Sequence, residues 1–299
     1  MSLKLACCED QYKKFPQLDR DEVLKLQDWH EKQPHLPNIT ELDAIIFLHA
    51  CNYSVEKAKI CMDTYYTIRT HCPEFFGQRD VNGHDITAQM NILAVAPLEG
   101  LTHEGYRAIL CKLTDFDASK YNYVDSAKLF SMVADLLLAQ DGIAEGHAII
   151  IDMEGSTLSH LAKVNILAMK KFMFYIQEAL PVRLRAFHFI NTVPFMDKVL
   201  ALMKPFMKKE LLDAMHLHSS LDTFVDKHVP KMILPSEYGG SAGTLKEFTE
   251  KTYKELRANP EFFVNEEKNR VDEKLRPGKP KTESDLFGTD GNFKQLQFD

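Results

Sequence analysis

Residues 146–207 read GHAIIIDMEGSTLSHLAKVNILAMKKFMFYIQEALPVRLRAFHFINTVPFMDKVLALMKPFM, and this stretch determines the expected fold. The apolar run at 148–153 lacks polar alternation, which indicates a strand covered on both faces. From 161 to 179 apolar side chains recur every three or four residues, which predicts a helix that Pro181 ends. Residues 186–190 predict a second strand. A strand, a helix and a strand in so short a span form a βαβ unit with parallel strands and a right-handed crossover.

A further helix is predicted over residues 193–207, with Asn191 or Thr192 as its cap and Pro194 in its first turn. Its apolar side chains cover most of its circumference; they are Phe195, Met196, Val199, Leu200, Leu202, Met203, Phe206 and Met207. A helix that is apolar on nearly every side is either a buried core helix or one that alternately meets protein and another apolar phase. The residues alone leave both interpretations open.

The composition is that of a globular protein. The 299 residues are 45% hydrophobic and 26% charged, and their length allows one large domain or two smaller ones. A formal net charge of −7 argues against binding of nucleic acid through bulk charge. The start of the chain lacks the apolar segment of a signal peptide and no long apolar run follows, so a cytoplasmic location is expected. Six cysteines without a C-x-x-C pair favour free thiols.

The flanking regions predict mostly helices. Three short helices come first, one at residues 21–30, one capped by Thr40 and one that starts at Ser54 and ends before Pro73. The other predicted elements are a helix at 86–95, a strand at 106–113, a helix at 125–140, a strand at 215–218, and helices at 221–228 and 245–256. Beyond Val264 the polar composition predicts an extended tail.

Catalytic motifs are absent: the sequence has no G-x-S-x-G, no phosphate-binding loop, no G-x-G-x-x-G after a strand and no H-E-x-x-H. Asp152 and Glu154 at the end of a strand form an acid pair that could transfer protons, although a structural hydrogen-bonding role is favoured. His216 and His218 project to one face of a predicted strand and could hold a metal, but no third ligand is expected nearby, and satisfied core or surface histidines are favoured. Neither a metal nor a cofactor is therefore expected.

An ordered set of short motifs points to one family. The motifs are Asp-Met-Glu-Gly at 152–155, Pro-Val-Arg-Leu-Arg at 181–185, Phe-Ile-Asn at 189–191, Met-Lys-Pro-Phe at 203–206, Met-His-Leu-His at 215–218 and Leu-Pro-Ser-Glu-Tyr-Gly-Gly at 234–240. Together they resemble the CRAL-TRIO family of lipid-binding proteins, over residues 21–248. The closing stretch, 287–293, is similar to the ends of arthropod members.

This resemblance implies an α/β fold in which helices flank a mixed β-sheet. It divides the chain into an N-terminal helical module (1–77), a CRAL-TRIO lipid-binding domain (78–250), and a C-terminal helix with a polar tail (251–299). It implies a monomeric, non-enzymatic carrier that encloses a tocopherol, retinoid, carotenoid or similar lipophile and exchanges it at membranes. Residues 193–207 would be the gate helix, including Phe195, Met196 and Met203.

The resemblance also assigns candidate ligand contacts. They are Leu129, Val133, Ile151, Phe172, Tyr175, Phe187, Phe189, Val199 and Leu202. Sites for small molecules are mostly apolar with few polar groups, and these side chains fit that composition. On the residues alone, the same side chains could equally fill a solid core.

Arg183 and Arg185 are two apart in an extended segment, so both guanidinium groups could contact one phosphate-bearing headgroup. In the family, a basic pair at the matching place contacts phosphoinositide phosphates. The other phosphate-binding positions of the family fall at His49, Cys51, Leu211 and Ala214, none of which carries a permanent positive charge. The alternative functions are a phosphoinositide-reading membrane adaptor with a vestigial pocket and an enzyme that uses Asp152 and Glu154.

Overall fold

The computed structural model describes residues 3–288. Short helices lie ahead of the sheet: α1 (Cys8–Lys14), α2 (Arg20–His30), α3 (Glu41–Ala50), α4 (Val55–His71), α5 (Pro73–Phe76) and α6 (His84–Met90). Thr40 begins α3 with a reciprocal capping box, in which its hydroxyl accepts from the Asp43 N–H and its own N–H donates to the Asp43 carboxylate. Ser54 caps α4. Because α2, α3 and α4 all contact one another, they form the helical region that the caps predict.

A five-stranded mixed sheet follows within the described residues. Its strands, in spatial order, are β1 (Leu93–Pro97), β2 (Arg107–Leu113), β3 (His147–Asp152), β4 (Leu184–Ile190) and β5 (Met215–Leu217). β1 is antiparallel to β2, and the other neighbouring strands are parallel. The connecting helices are α7 (Tyr123–Asp141), α8 (Leu158–Ala162), α9 (Ile166–Phe174), α10 (Met196–Met203) and α11 (Lys209–Asp213). The α/β class with a mixed sheet flanked by helices is thus confirmed.

The two faces of the sheet carry different side chains. β2 to β5 are neighbours in chain order, and right-handed crossovers therefore bring their connecting helices to the same face. The opposite face carries small residues, namely Ala94, Ala96, Ala108, Ala148 and Ala186. Helices α12 (Leu221–Lys227) and α13 (Leu245–Ala258) cover it, with Phe224 and Phe248 buried against the alanines. The result is a helix–sheet–helix sandwich.

Two predicted helices differ from the structure. The helix expected at 86–95 is wrong in its second half, because α6 ends at Met90 and the next apolar run is β1. That run pairs with β2 and is buried. In a short run that is buried on both faces, apolar residues do not alternate with polar ones, so the hydrophobic pattern cannot distinguish a strand from a helix. The helix expected at 161–179 is interrupted after α8: Asn165 starts α9 by accepting from the Ala168 N–H, and α9 ends in a π-helical turn, Tyr175–Ala179.

Residues 259–288 pack on the body of the protein, contrary to the predicted extended tail. They include α14 (Pro260–Glu266) and α15 (Glu283–Phe287). Phe263 is fully buried, and the Phe287 ring contacts Phe174 of α9 at 5.3 Å between ring centroids. Arg276 donates to the Asp63 carboxylate of α4 at 2.6 Å. The segment is held on the body by the burial of Phe263, Val271 and Phe287 and by the ion pairs of Arg276 and Lys281 with Asp63. Residues 289–293 of the arthropod-like ending lie outside the described residues.

Candidate functional site

A cavity of about 270 Å³ lies between the sheet and the helices α7, α9 and α10. The strands contribute Val95, Cys111, Ile149, Ile151, Phe187 and Phe189 to its wall. These side chains share one face because successive residues of a strand point to opposite sides. The cavity therefore lies on the face of the sheet that the crossover helices cover, whereas the strand residues in between, such as Ala108, Leu110 and Ile150, belong to the opposite face.

The helices complete an apolar wall. Their contributions are Ala127 and Phe130 from α7, Met169, Phe172 and Met173 from α9, Ile176 from the π-helical turn, and Val199 and Met203 from α10, with Phe195 just before it. A mostly apolar, concave site of this kind suits a lipophilic small molecule.

The structure brings seven of the predicted residues to the cavity and leaves five outside it. Ile151, Phe172, Phe187, Phe189, Val199, Phe195 and Met203 line the wall, whereas Leu129, Val133, Tyr175, Leu202 and Met196 are buried elsewhere in the core. Leu129 and Val133 lie on a different side of α7 from Ala127 and Phe130. The Tyr175 ring packs on Phe76 at 4.9 Å between centroids, toward the N-terminal helices.

Polar side chains gather at one end of the cavity, and no motif in the sequence marks most of them. They are Lys112, Tyr121, Ser126, Asp152, Ser156, Thr157 and His160. Lys112 and Asp152 stand at the carboxyl ends of β2 and β3, and Ser156, Thr157 and His160 follow β3 directly. The cavity is therefore apolar along most of its wall and polar beyond the carboxyl ends of two parallel strands.

His160 is the polar residue whose hydrogen bonding is incomplete. Its Nδ1 accepts from the Thr157 N–H at 3.2 Å and lies 2.8 Å from the Thr157 hydroxyl. The ring proton must then be on Nε2, which is buried and has no hydrogen-bond partner among residues 3–288. Burial lowers the pKa of His160, so the ring is neutral at pH 7. The spacing Thr-x-x-His, which resembles a capping box, was the signal available in the sequence.

Asp152 has the structural role that the sequence favoured. One carboxylate oxygen accepts from Asn191 at 2.9 Å and from the Glu154 N–H at 3.0 Å. The other accepts from the Tyr238 hydroxyl at 2.7 Å and lies 3.1 Å from the Lys112 ammonium. Because both oxygens are used to join β2, β3 and the segment around Tyr238, this carboxylate is not poised to take a proton from a substrate.

The predicted gate helix is shorter than expected and has two distinct sides. α10 spans Met196–Met203, and a 3₁₀ turn at Lys204–Phe206 ends it at Pro205, which has no N–H to donate. Met196, Val199, Leu202 and Met203 are buried, while Asp197, Lys198 and Ala201 are exposed and Leu200 is half-buried. The helix therefore closes the cavity with one side and carries less outward apolar surface than its composition indicated.

Apolar surface lies instead on the neighbouring helices. Leu158 of α8 is 51% exposed, and Ile166 and Leu167 of α9 are 37% and 38% exposed. On the same two helices, Leu161, Met169 and Phe172 line the cavity. α9 also contacts α10. Exposed apolar side chains thus occur on the elements that form the cavity wall beside the gate helix.

The predicted basic pair is only partly available to a ligand. Arg183 donates through Nε to the His49 carbonyl at 2.8 Å, and its guanidinium group lies 5.0 Å from the centre of the Tyr53 ring. Arg185 is exposed. His49 is buried, and its pKa is lowered to about 3 by burial and by the charge of Arg183, so it adds no positive charge at neutral pH. Phosphoinositide binding at this place stays a prediction.

The two predicted strand histidines are not isolated, contrary to the expectation that no third ligand lies nearby. His218 is within hydrogen-bond distance of His188 on β4, and His228 after α12 lies close to both. These residues are far apart in sequence, and the tertiary fold alone brings them together. They lie on the face of the sheet opposite the cavity. Phe187 and Phe189, on either side of His188, line the cavity, and successive residues of a strand point to opposite faces.

Comparison with known proteins agrees with this architecture. The CRAL/TRIO domain matches residues 94–240, and the Pinta-like UBA domain matches residues 15–86. A helical region followed by a mixed sheet beside an apolar cavity agrees with these two matches. Residues 94–240 form a CRAL/TRIO domain.

Its relatives include proteins named for lipid transfer. The chain is 28% identical to the Homo sapiens "Alpha-tocopherol transfer protein-like" over 253 residues, 82% of this chain and 71% of that protein. It is 21% identical to Rattus norvegicus "Clavesin-2" over 228 residues, 75% of this chain and 70% of that protein. A solved structure titled "Crystal structure of Sfh5" has a TM-score of 0.49 and 14% identity, and the match covers 77% of this chain and 91% of that one. In residues 3–288, no helix is long and apolar enough to cross a bilayer.

Proposed function

We propose that this protein is a non-enzymatic, monomeric carrier in the cytoplasm that encloses one lipophilic molecule and exchanges it at membranes. The observation that carries this proposal is the cavity of about 270 Å³ with a predominantly apolar wall and polar residues at one end. An apolar wall favours a ligand without charge, since an unpaired charge there would lose its hydration. The similarity to proteins named for tocopherol transfer supports the same class of ligand.

The arrangement of polar residues supports a ligand with one polar group. The unpaired Nε2–H of His160 is a hydrogen-bond donor, so it would pair with a hydroxyl, carbonyl or ether oxygen of the ligand. The apolar remainder would lie along Ile151, Phe187 and Phe189. Tocopherols and retinoids have this combination of one oxygen-bearing end and a long apolar body, and oxygenated carotenoids also carry oxygen at an end of a long apolar body.

Exchange at a membrane would require the wall to open. α10 closes the cavity with Val199 and Met203, while Leu158, Ile166 and Leu167 present apolar surface on the adjoining helices. We infer that these exposed side chains contact the bilayer and that α10 moves when they do. Such transient attachment needs only an apolar patch and no membrane-spanning segment.

The carrier function is tested by extracting the purified full-length protein with organic solvent and identifying bound molecules by mass spectrometry. A lipophile at one equivalent per chain is expected. Binding of added tocopherol, retinaldehyde and carotenoid would then be compared between the native protein, Phe187→Asp and, as a matched surface control, Ile60→Asp, whose native side chain is 68% exposed on α4. A folded protein that contains and binds no lipophile would reject the carrier and favour the phosphoinositide-reading adaptor.

His160→Phe tests the proposed polar contact separately. Loss of one hydrogen bond should weaken binding of an oxygen-bearing ligand by roughly 2–13-fold. A matched ligand in which the oxygen is replaced by hydrogen should bind the native and variant proteins equally. An equal effect on both ligands would mean that His160 shapes the wall without bonding to the ligand, while the carrier function itself would stand.

A further inference from the structure

Four histidines meet on the face of the sheet that looks away from the cavity. His188 lies on β4 and pairs in register with His216 on the edge strand β5, and His218 follows that strand. His228 follows α12, which covers this face. No part of the proposed carrier function uses these residues, and a cluster of four imidazoles in an otherwise apolar layer calls for its own explanation.

Three of the rings converge on one point. One nitrogen from each of His188, His218 and His228 lies within 4.8 Å of the others. His188 Nδ1 and His218 Nε2 are 3.0 Å apart, and the His228 ring centre is 4.6 Å from that of His188. His188 and His218 are 2% and 8% exposed. His216 stacks on His188 at 5.0 Å but does not belong to the converging group.

Glu104 orients the third ring from outside the cluster. Its carboxylate oxygen lies 2.8 Å from His228 Nδ1, so that nitrogen carries the proton and donates it to Glu104. Nε2 of His228 is then unprotonated and carries the lone pair that a metal needs. A histidine held by a carboxylate through its other nitrogen is the usual arrangement around protein-bound zinc, in which the carboxylate fixes the tautomer and the ring orientation.

The ligand types indicate which metal the cluster would bind. Three imidazoles without a ligating carboxylate suit Zn²⁺ or a similar transition metal, and they do not suit Mg²⁺ or Ca²⁺, which require oxygen ligands.

We propose that His188, His218 and His228 bind one Zn²⁺ ion, with water in the fourth position and Glu104 as a positioning residue. Zinc–nitrogen bonds of about 2.1 Å place tetrahedral nitrogens about 3.4 Å apart. Nitrogens that lie within 4.8 Å of one another need to close by about 1.4 Å at most, and the His188–His218 pair at 3.0 Å needs to open by about 0.4 Å. The ion would connect β4, the edge strand β5, the end of α12 and the loop between β1 and β2. It would thereby hold the sheet behind Phe187 and Phe189 of the cavity wall.

The test uses the full-length protein after removal of metals with a chelator. Zn²⁺ is titrated in competition with a chromophoric chelator, and one equivalent per chain is expected to bind. His228→Ala should lose this binding, and Glu104→Gln should weaken it by roughly 10–100-fold. His84→Ala is the control, because His84 has a 95% exposed side chain outside the cluster; it should bind Zn²⁺ like the native protein. Circular dichroism shows whether each variant is folded. If His228→Ala does not fold, the comparison of Glu104→Gln with the native protein tests the proposal.

Co²⁺ gives an independent measure of the coordination. Co²⁺ in the site should produce the intense visible absorption of a tetrahedral complex, and this absorption should disappear in His228→Ala. Zn²⁺ should also raise the Tm of the native protein and of His84→Ala without raising that of His228→Ala. Absence of stoichiometric Zn²⁺ binding, or binding that is unchanged in both His228→Ala and Glu104→Gln, would overturn the proposal and leave the histidines as a hydrogen-bonded part of the core.

Discussion

Asp135→Ala should strongly destabilise the protein, because Asp135 neutralises two arginines in the interior. Asp135 lies on α7 and accepts from Arg69 of α4 and, at 2.6 Å, from Arg79. Both arginines are only 1% exposed. Glu266 is the other carboxylate near Arg69, with an oxygen 3.3 Å from Nη1. Removal of one partner from such a buried group typically lowers the free energy of unfolding by about 3–5 kcal/mol.

The expected change is large enough for ordinary denaturation experiments. A loss of about 3–5 kcal/mol corresponds to a fall in Tm of about 5–8 °C, because unfolding of a chain of 299 residues has an entropy of about 0.63 kcal/mol/K. Asp10→Ala is the control, because Asp10 and its partner Lys13 are 3.9 Å apart with side chains 70% and 77% exposed. That change should leave the free energy of unfolding nearly unchanged. Urea unfolding can be followed by the fluorescence of Trp29, the single tryptophan, and by circular dichroism of the whole chain.

The pH dependence of stability is a second test of the contact between Asp135 and the two arginines. Burial raises the pKa of Asp135, but the positive charges of Arg69 and Arg79 outweigh it, so the pKa is lowered below its ordinary value. A carboxyl group whose pKa is lowered in the folded state stabilises that state at pH values above the ordinary pKa of about 3.9. This stabilisation is lost as the pH falls through the lowered pKa. The stability difference between the native protein and Asp135→Ala should therefore be constant near pH 7 and shrink in acid. A difference below about 1 kcal/mol at pH 7 would refute the description of this cluster as buried and charge-paired.

Three further predictions concern the function. Phe187→Asp should abolish binding of a lipophile, because an unpaired charge buried in the apolar wall costs several kcal/mol; fluorescence titration that shows full affinity would remove Phe187 from the site. Arg185→Ala should weaken binding to phosphoinositide vesicles in a salt-sensitive way and leave Tm unchanged. Arg183→Ala should lower Tm, because the hydrogen bond to the His49 carbonyl is lost. Vesicle sedimentation that neither change affects would argue against a charge-based contact. A disulfide between α9 and α10, at a pair with Cα atoms about 4.4–6.8 Å apart, should slow transfer to acceptor vesicles until it is reduced. Equal transfer rates with α10 locked would show that the ligand leaves by another route.

Much of the fold could be predicted from local sequence. Thr40 and Ser54 mark helix starts because their side chains bond to backbone N–H groups within the next turn. The apolar run that contains Ile149 and Ile151 predicts a doubly covered strand, and the run with Phe187 and Phe189 predicts its parallel neighbour. These signals depend on residues close together in the chain, so these particular elements were predictable without knowledge of their packing.

The cavity was predictable only in part. Ile151, Phe187 and Phe189 were expected there because the resemblance to the CRAL-TRIO family implies that their strands surround a cavity, and all three line its wall. Leu129 and Val133 were expected there too, but α7 is buried on several sides and presents Ala127 and Phe130 to the cavity. Periodicity shows that a side chain is buried, but it does not show whether a neighbour or an empty space lies opposite.

The sequence by itself therefore determined the class of fold, the βαβ centre and the apolar character of the site. Only the tertiary structure decided that residues 93–97 form an edge strand, that Arg183 is engaged by a backbone carbonyl, and that His188, His218 and His228 meet. The physical reason is the range of the interactions. Caps, turns and periodic faces depend on neighbours a few residues away, whereas strand pairing, ion pairs and clusters of side chains depend on partners that the folded chain brings from tens of residues away.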